Sequence, residues 1–269
     1  MEIIITYTTS DGTLHEYGAY GGIFLERRNI VSIDLTPLKG SKHIPEILLY
    51  DNKLQSIDLS PLSSCSSLEE LYLDTNPLQH IDLTPLGSCV NLRKLSFYDT
   101  ALKSIDLTPL NSCIRLEELL IHSNVTAMLE EITLASFESL ESSLRLTLSL
   151  GPKNAGIDLS PLSKCTNLHT LDLSFSHLSE IDLSPLSSIT NLRELYLAQN
   201  QFEELDLSPL SSCKSLVLLD LQSNRLQHID LSPLALCQSL RVLDLFDCEF
   251  EQIDLSPLSG NKNIHVKGL

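Results

Sequence analysis

The chain has 269 residues, a formal net charge of −17, 42% hydrophobic and 20% charged residues, 5% aromatics and no Trp. This balance belongs to a folded protein with an aliphatic core, and the acidity speaks against a nucleic-acid partner, which needs a basic surface to meet phosphates. No apolar run approaches the roughly 20 residues that cross a bilayer, and the opening "MEIIITYTTSDG" has neither a basic segment nor a small-residue cleavage site, so no signal peptide and no membrane partner are predicted and the expected setting is cytoplasmic.

The first 20 residues alternate β-formers on both sides of Asp11-Gly12. This predicts a hairpin with a two-residue turn, placed to cap whatever follows.

From residue 33 onward one hexapeptide recurs. "IDLSPL" stands at 57–62, 157–162, 181–186, 229–234 and 253–258, "IDLTPL" at 33–38, 81–86 and 105–110, and "LDLSPL" at 205–210. The step is 24 residues within each run, and the gap from 105 to 157 is 52, two periods plus four. A worn copy, "EITLASFESL", fills that gap, with Ile132, Leu134 and Phe137 in the apolar places. About ten turns therefore run to residue 258, one of them irregular. A unit of this size cannot bury its own apolar positions, so stacking onto its neighbours is what makes a core. The prediction is one continuous solenoid over 1–269.

Residues 68–91 show one turn. "LEELYL" alternates about Leu71 and Leu73, which predicts a strand pairing in parallel with its neighbours. Asn76 ends it, and with Asn52, Asn124, Asn200 and Asn224 should form an internal ladder, weakened where Thr100, Ser176 and Cys248 take the place. Ile81-Asp82-Leu83 alternates again and suggests a short second strand. Thr84 then reads as an N-cap with Pro85 at the first helical position, opening one 3-10 or α turn.

The Asp of the motif recurs at 34, 58, 82, 106, 158, 182, 206, 230 and 254. Two readings are open: an Asx-type turn in which each carboxylate accepts backbone N–H bonds, or a row of cation sites. The first is favoured, because the motif offers one carboxylate per turn where calcium takes about six to eight oxygens. Cys65, Cys89, Cys113, Cys165, Cys213 and Cys237 share one place in the period. Beside core Leu they read as small buried thiols in reduced form, and no Cys-x-x-Cys pair suggests zinc.

The shared pattern Leu-x-x-Leu-x-Leu-x-x-Asn-x-apolar-x-x-Ile-Asp-Leu resembles the leucine-rich repeat family over about 20–264, and the 24-residue form with Cys near its end is similar to bacterial-type members. The resemblance implies an α/β fold: a right-handed, horseshoe-shaped solenoid with a parallel concave β-sheet and short 3-10/α turns on the convex side.

The irregular stretch 125–156 predicts a longer helix over "LASFESLESSL" and a loop at "GPKNAG". Residues 259–269 end the chain as an incomplete turn with little capping, an edge open to end-to-end self-association.

Function should lie where the repeat stops dictating residues. The outward strand positions hold Glu46, Leu48 and Tyr50; Glu70, Tyr72 and Asp74; Lys94, Ser96 and Tyr98; Glu118, Leu120 and His122; Asp172; Glu194 and Tyr196; Asp220; Asp244 and Phe246. Tyrosine supplies large contact area at low entropy cost and is enriched at interface hot spots. Tyr50, Tyr72 and Tyr98 are expected to form an aromatic stripe, and the acids, with Lys94 alone against them, to favour a partner protein with a basic or mixed surface. There is no His-Glu-x-x-His, no phosphate-binding Gly-rich loop and no nucleophile elbow. The expectation is a non-catalytic protein-interaction scaffold or adaptor without a metal or cofactor. The alternative is a regulatory or targeting subunit of an enzyme complex.

Overall fold

A computed structural model describes residues 3–123, 129–151 and 156–268. Contacts divide the chain into two compact units, Met1–Ser142 and Ser143–Leu269.

In the first unit β1 (Ile3–Thr9) and β2 (Leu14–Ala19) form an antiparallel hairpin, followed by β3 (Ile23–Phe24) and β4 (Ile30–Asp34). The hairpin loop is longer than the two-residue turn expected. Thr9 N–H donates to the Thr13 carbonyl at 3.0 Å, leaving Ser10, Asp11 and Gly12 as a three-residue loop. Gly12 takes φ +85°, the left-handed position such a loop requires. The Asp11 carboxylate accepts the Thr9 hydroxyl and the Thr13 N–H, and these bonds hold it at about 2. The other edge of β1 pairs with β4, so the hairpin is stitched to the back of the first turn.

Next come β5 (Glu46–Leu48), β6 (Glu70–Tyr72), β7 (Lys94–Thr100), β8 (Ser104–Asp106), β9 (Glu118–Ser123) and β10 (Glu131–Thr133). Strands β3, β5, β6, β7 and β9 pair in parallel in that order. The register Glu46↔Glu70↔Lys94↔Glu118 repeats the 24-residue step in space. In the second unit β11 (Leu144–Ser149), β12 (Leu168–Asp172), β13 (Glu194–Tyr196), β14 (Leu218–Asp220), β15 (Val242–Asp244) and β16 (His265–Lys267) form a parallel sheet in chain order. The last of these was not expected. The chain end, read as an incomplete turn, still contributes an edge strand.

In both units the Leu and Ile of every turn are buried, among them Leu71, Leu73, Leu78, Leu195, Leu219 and Leu221. Each fully buried Leu contributes about 1.5–3 kcal/mol. The ladder Asn is a buried polar residue whose bonds are met by backbone. Asn76 donates from Nδ2 to the Leu49 carbonyl of the preceding turn at 2.9 Å and to Leu73 in its own, while its Oδ1 accepts the Leu54 N–H at 3.0 Å. Asn52, Asn200 and Asn224 repeat these bonds; Asn124 lies outside the described residues. Among the described residues the Thr100 side chain keeps only a bond to the Phe97 carbonyl. Ser176 retains more, donating to Leu148 and accepting from Leu150. The residues Asp51, Thr75, Asp99, Phe175, Gln199, Ser223 and Asp247, each before a ladder place, have φ between 50° and 58°. A left-handed non-Gly residue costs roughly 1–2 kcal/mol, a cost that the ladder bonds offset.

The hexapeptides form 3-10 turns, for example Ser60–Ser64, Thr84–Ser88 and Ser208–Ser212. Here the Ser or Thr is the first helical residue, not the N-cap; Pro is second, and the residue before is the inward Leu. The capping role falls to the Asp. At all nine copies its Oδ1 accepts the N–H of the Ser or Thr two residues on, at 2.8–2.9 Å. This is the Asx turn, and it accounts for the Asp. Among the described residues the expected second strand forms between turns at β8 and β10, which pair in parallel with Ile132 beside Ile105, while at the first copy Ile33 and Asp34 belong to β4 and pair with β1 instead. Elsewhere neighbouring turns stand further apart on that side, as at Gln79 N–H to Gln55 carbonyl, 3.4 Å.

The helix expected over "LASFESLESSL" does not form. Phe137 is buried in the place of Leu110, and the Asn111 side chain takes the Phe137 N–H at 2.9 Å. The chain makes one turn near 138–139 and enters β11 directly. Most of the expected "GPKNAG" loop, 152–155, lies outside the described residues. The cysteines are free. Cys65, Cys89, Cys113, Cys213 and Cys237 each donate Sγ–H to a Leu carbonyl of the preceding turn at 3.2–3.5 Å. Burial pushes Cys89, Cys113 and Cys213 up to about 12, which suppresses the reactive thiolate. No helix among the described residues is long and apolar enough to cross a membrane.

Candidate functional site

Parallel pairing converts outward strand positions into rows. In the first unit the rows are Glu46, Glu70, Lys94 and Glu118, then Leu48, Tyr72, Ser96 and Leu120. One step further along, Tyr98 lies beside His122, with Tyr50 and Asp74 at the equivalent places of the earlier turns. The expected stripe of Tyr50, Tyr72 and Tyr98 is therefore broken. Tyr72 belongs to the neighbouring row, and Asp74 separates the other two. The reason is register: the period places Tyr72 two residues short of Tyr50 and Tyr98. The ring contact that does form is Tyr98 against His122, with centroids 4.6 Å apart. Tyr98 is 52% exposed, so its outer face stays open. The Arg27 guanidinium lies 5.9 Å from the Tyr50 ring centroid, a cation–π contact absent from the sequence reading.

The acids of this unit are partly satisfied internally. Lys94 Nζ stands 3.4 Å from Glu70. The Asp74 carboxylate accepts the Ser96 hydroxyl and the Tyr98 N–H. Burial nevertheless raises its pKa above the usual carboxylate range. Burial and the neighbouring Glu70 raise the Tyr72 hydroxyl.

In the second unit one row runs Arg145, Thr170, Glu194, Leu218, Val242 and His265, the next Thr147, Asp172, Tyr196, Asp220, Asp244 and Lys267. Glu194 accepts from the Thr170 and Tyr196 hydroxyls and lies 3.8 Å from Arg145. Asp244 is buried and bonds Lys267 at 2.9 Å. Burial, with Asp244 adding to it, pushes Asp220 upward. Phe246 closes the set at 61% exposure. Gly268, at φ +87°, makes this packing possible, since an added Cβ would lie 2.3 Å from the Phe246 backbone.

Lys94 is thus not the only cation on the strands. Arg145 and Lys267 join the rows and neutralise Glu194 and Asp244. The sequence reading missed each for its own reason: the extra residues around the irregular turn hid the register of β11, and the last strand was read as an end. The positions of Leu144 and Val266, apolar at the strand phase, were the available signal. Among the described residues no group of three or more His, Cys, Asp or Glu side chains is arranged to hold a metal ion.

A family model described as "BspA type Leucine rich repeat region (6 copies)" matches residues 24–141, and one described as "Leucine rich repeat" matches 166–226 and 190–250. No curated protein sequence matches the chain. Among solved structures, an internalin (inlF) from Listeria monocytogenes is similar with a TM-score of 0.58 and 20% identity, covering 91% of this chain and 86% of the internalin. The LRR ectodomain of the Arabidopsis thaliana receptor kinase GASSHO1/SCHENGEN3, in complex with CASPARIAN STRIP INTEGRITY FACTOR 2, gives 0.66 at 22% identity over 96% of this chain and 30% of that one. The TLR13–ssRNA13 complex gives 0.67 at 19% identity, covering 91% and 36% respectively. With the parallel strands, the Asn ladder and the 24-residue register, these matches show that the chain belongs to the leucine-rich repeat family.

Proposed function

We propose that this chain is a non-catalytic scaffold or adaptor that binds a segment of a partner protein on its strand faces. The observation that carries the reading is the half-exposed Tyr98 stacked on His122, a rigid aromatic surface that the repeat does not require. Leucine-rich repeats serve in general as interaction scaffolds, and the Arabidopsis ectodomain in complex with CASPARIAN STRIP INTEGRITY FACTOR 2 supports a protein ligand. An RNA ligand, as in the TLR13 complex, is disfavoured by the net charge of −17. The partner surface is mixed rather than strongly basic. Glu70, Glu194 and Asp244 already have cations, whereas Glu46, Glu118 and Asp172 have none within ion-pair distance among the described residues.

The test is affinity capture from the native cell with the wild type and a Tyr98→Ala/Tyr196→Ala double variant, quantified by mass spectrometry. Truncating such anchors costs about 1–2 kcal/mol or more each. The specific partner should therefore fall at least tenfold while the circular dichroism melt stays unchanged. An identical set of captured proteins would count against the strand faces as the site.

A further inference from the structure

The side chains one position before β13, β14 and β15 form another row, which starts at His169 within β12 and opens into a groove of about 670 Å³. His169, Arg193, Val217 and Arg241 line it from successive turns, together with Asn191 and Ser239. No acid lines it, in a chain of net charge −17. Neither Arg193 nor Arg241 takes part in an ion pair with any described residue, and both are exposed. Arg241 is held by its own backbone, donating to the Gln238 and Leu240 carbonyls at 3.0 and 3.1 Å. Burial and the Arg193 charge lower the pKa of His169, so the positive field of the groove comes from the two arginines.

We propose that this groove binds an acidic protein segment lying across the turns, with a carboxylate on each of Arg193 and Arg241. The site is separate from the strand faces and does not depend on the reading given for them. Spacing and charge favour this occupant. Parallel strands repeat every ~4.8 Å, so residues two turns apart stand about 10 Å apart. A polyproline II segment advances about 3.1 Å per residue with three residues per turn, so every third side chain falls on one face about 9.3 Å apart. A segment with Glu at every third position therefore matches the two guanidiniums, each able to hold a carboxylate bidentately. A nucleic acid strand presents a phosphate at every step and would find two arginines among many acids.

The test is fluorescence anisotropy of a labelled synthetic peptide of five Glu-Pro-Pro triplets against the full chain. The expected result is saturable binding that weakens with added salt. The Arg193→Ala/Arg241→Ala variant should bind at least tenfold more weakly with an unchanged melting temperature, and Arg93→Ala, in the equivalent row of the first unit, should bind as the wild type does. The proposal is overturned by no saturable binding, by full affinity in the double variant, by equal binding of a Lys-Pro-Pro peptide, or by tighter binding of an oligothymidylate of the same length. Equal binding of a peptide with its five Glu clustered at one end overturns the two-turn spacing.

Discussion

The same row of the repeat is closed in one unit and open in the other. In the first, Arg93 stands between Glu69 and Glu117; its guanidinium makes two bonds to Glu117, at 3.1 and 2.9 Å, and approaches Glu69 at 3.8 Å. In the second, His169, Arg193, Val217 and Arg241 occupy the row, and among the described residues no carboxylate pairs with the two arginines. The strands beside the two rows share the 24-residue register, so the contrast resides in side chains that the repeat does not constrain. In a repeat protein, charge can be changed turn by turn without disturbing the lap beneath, and a departure from local neutrality is informative for that reason.

The comparison presumes cores of equal strength. Leu71 and Leu219 hold the same place in the period, and both are fully buried. Replacing either by Ala should cost about 2–5 kcal/mol, measured by urea unfolding. A cost several-fold smaller in one unit would break the equivalence. A smaller effect separates turns inside the first unit. Asn76→Ala strands buried carbonyls and an N–H and should cost about 1–3 kcal/mol, whereas Thr100→Val gives up one bond and should cost about 1 kcal/mol or less. Equal losses would mean that the ladder bonds do not set the stability of a turn.

The gentlest test is acid titration. The Ser or Thr side chain and backbone N–H hold Asp34, Asp82, Asp158, Asp206 and Asp230 below the usual carboxylate range, Asp230 despite the like charge of Asp206. Their folded pKa values lie below the unfolded value of about 3.9, so the stability they add is complete above that pH and is lost as the pH falls toward the folded values. Asp206→Asn with Asp230→Asn keeps the acceptor but removes the titration. The variant should be less stable than the wild type at pH 7, and the difference should shrink as the pH falls below about 4. An unchanged acid limb would show that the corners do not contribute to pH-dependent stability. Asp74 and Asp220, raised by burial, work in the opposite sense: their contribution diminishes as the pH rises.

Much of the fold was legible because the period fixes which residues face inward. Leu71, Asn76, Asp82 and Cys89 could each be assigned a place from one another's spacing, and the strands, ladder, corners and buried thiols lie there. The misses have a common physical origin. Ser and Thr were read as caps because they cap helices well, but a 3-10 turn starting on that residue leaves its N–H to the Asp. A helix was read over 134–144 because its pattern permits one, yet the side chain of Asn111 takes the Phe137 N–H and Phe137 sits at φ +49°, outside the helical region. Of the candidate site, the outward positions were found and their companions were not. Arg145, Lys267 and Arg27 enter through register and through contacts between turns.

The sequence by itself determined the lap: two dozen residues, an aliphatic interior, one Asn and one Asp at fixed phase. It could do so because burial depends on which side of the backbone a residue faces, and periodicity states that directly. The tertiary structure decided charge. Whether an Arg is neutralised, as Arg93 is, or left open, as Arg193 is, depends on which residue lies about 5 Å away in the next turn, a distance set by stacking and not by order along the chain.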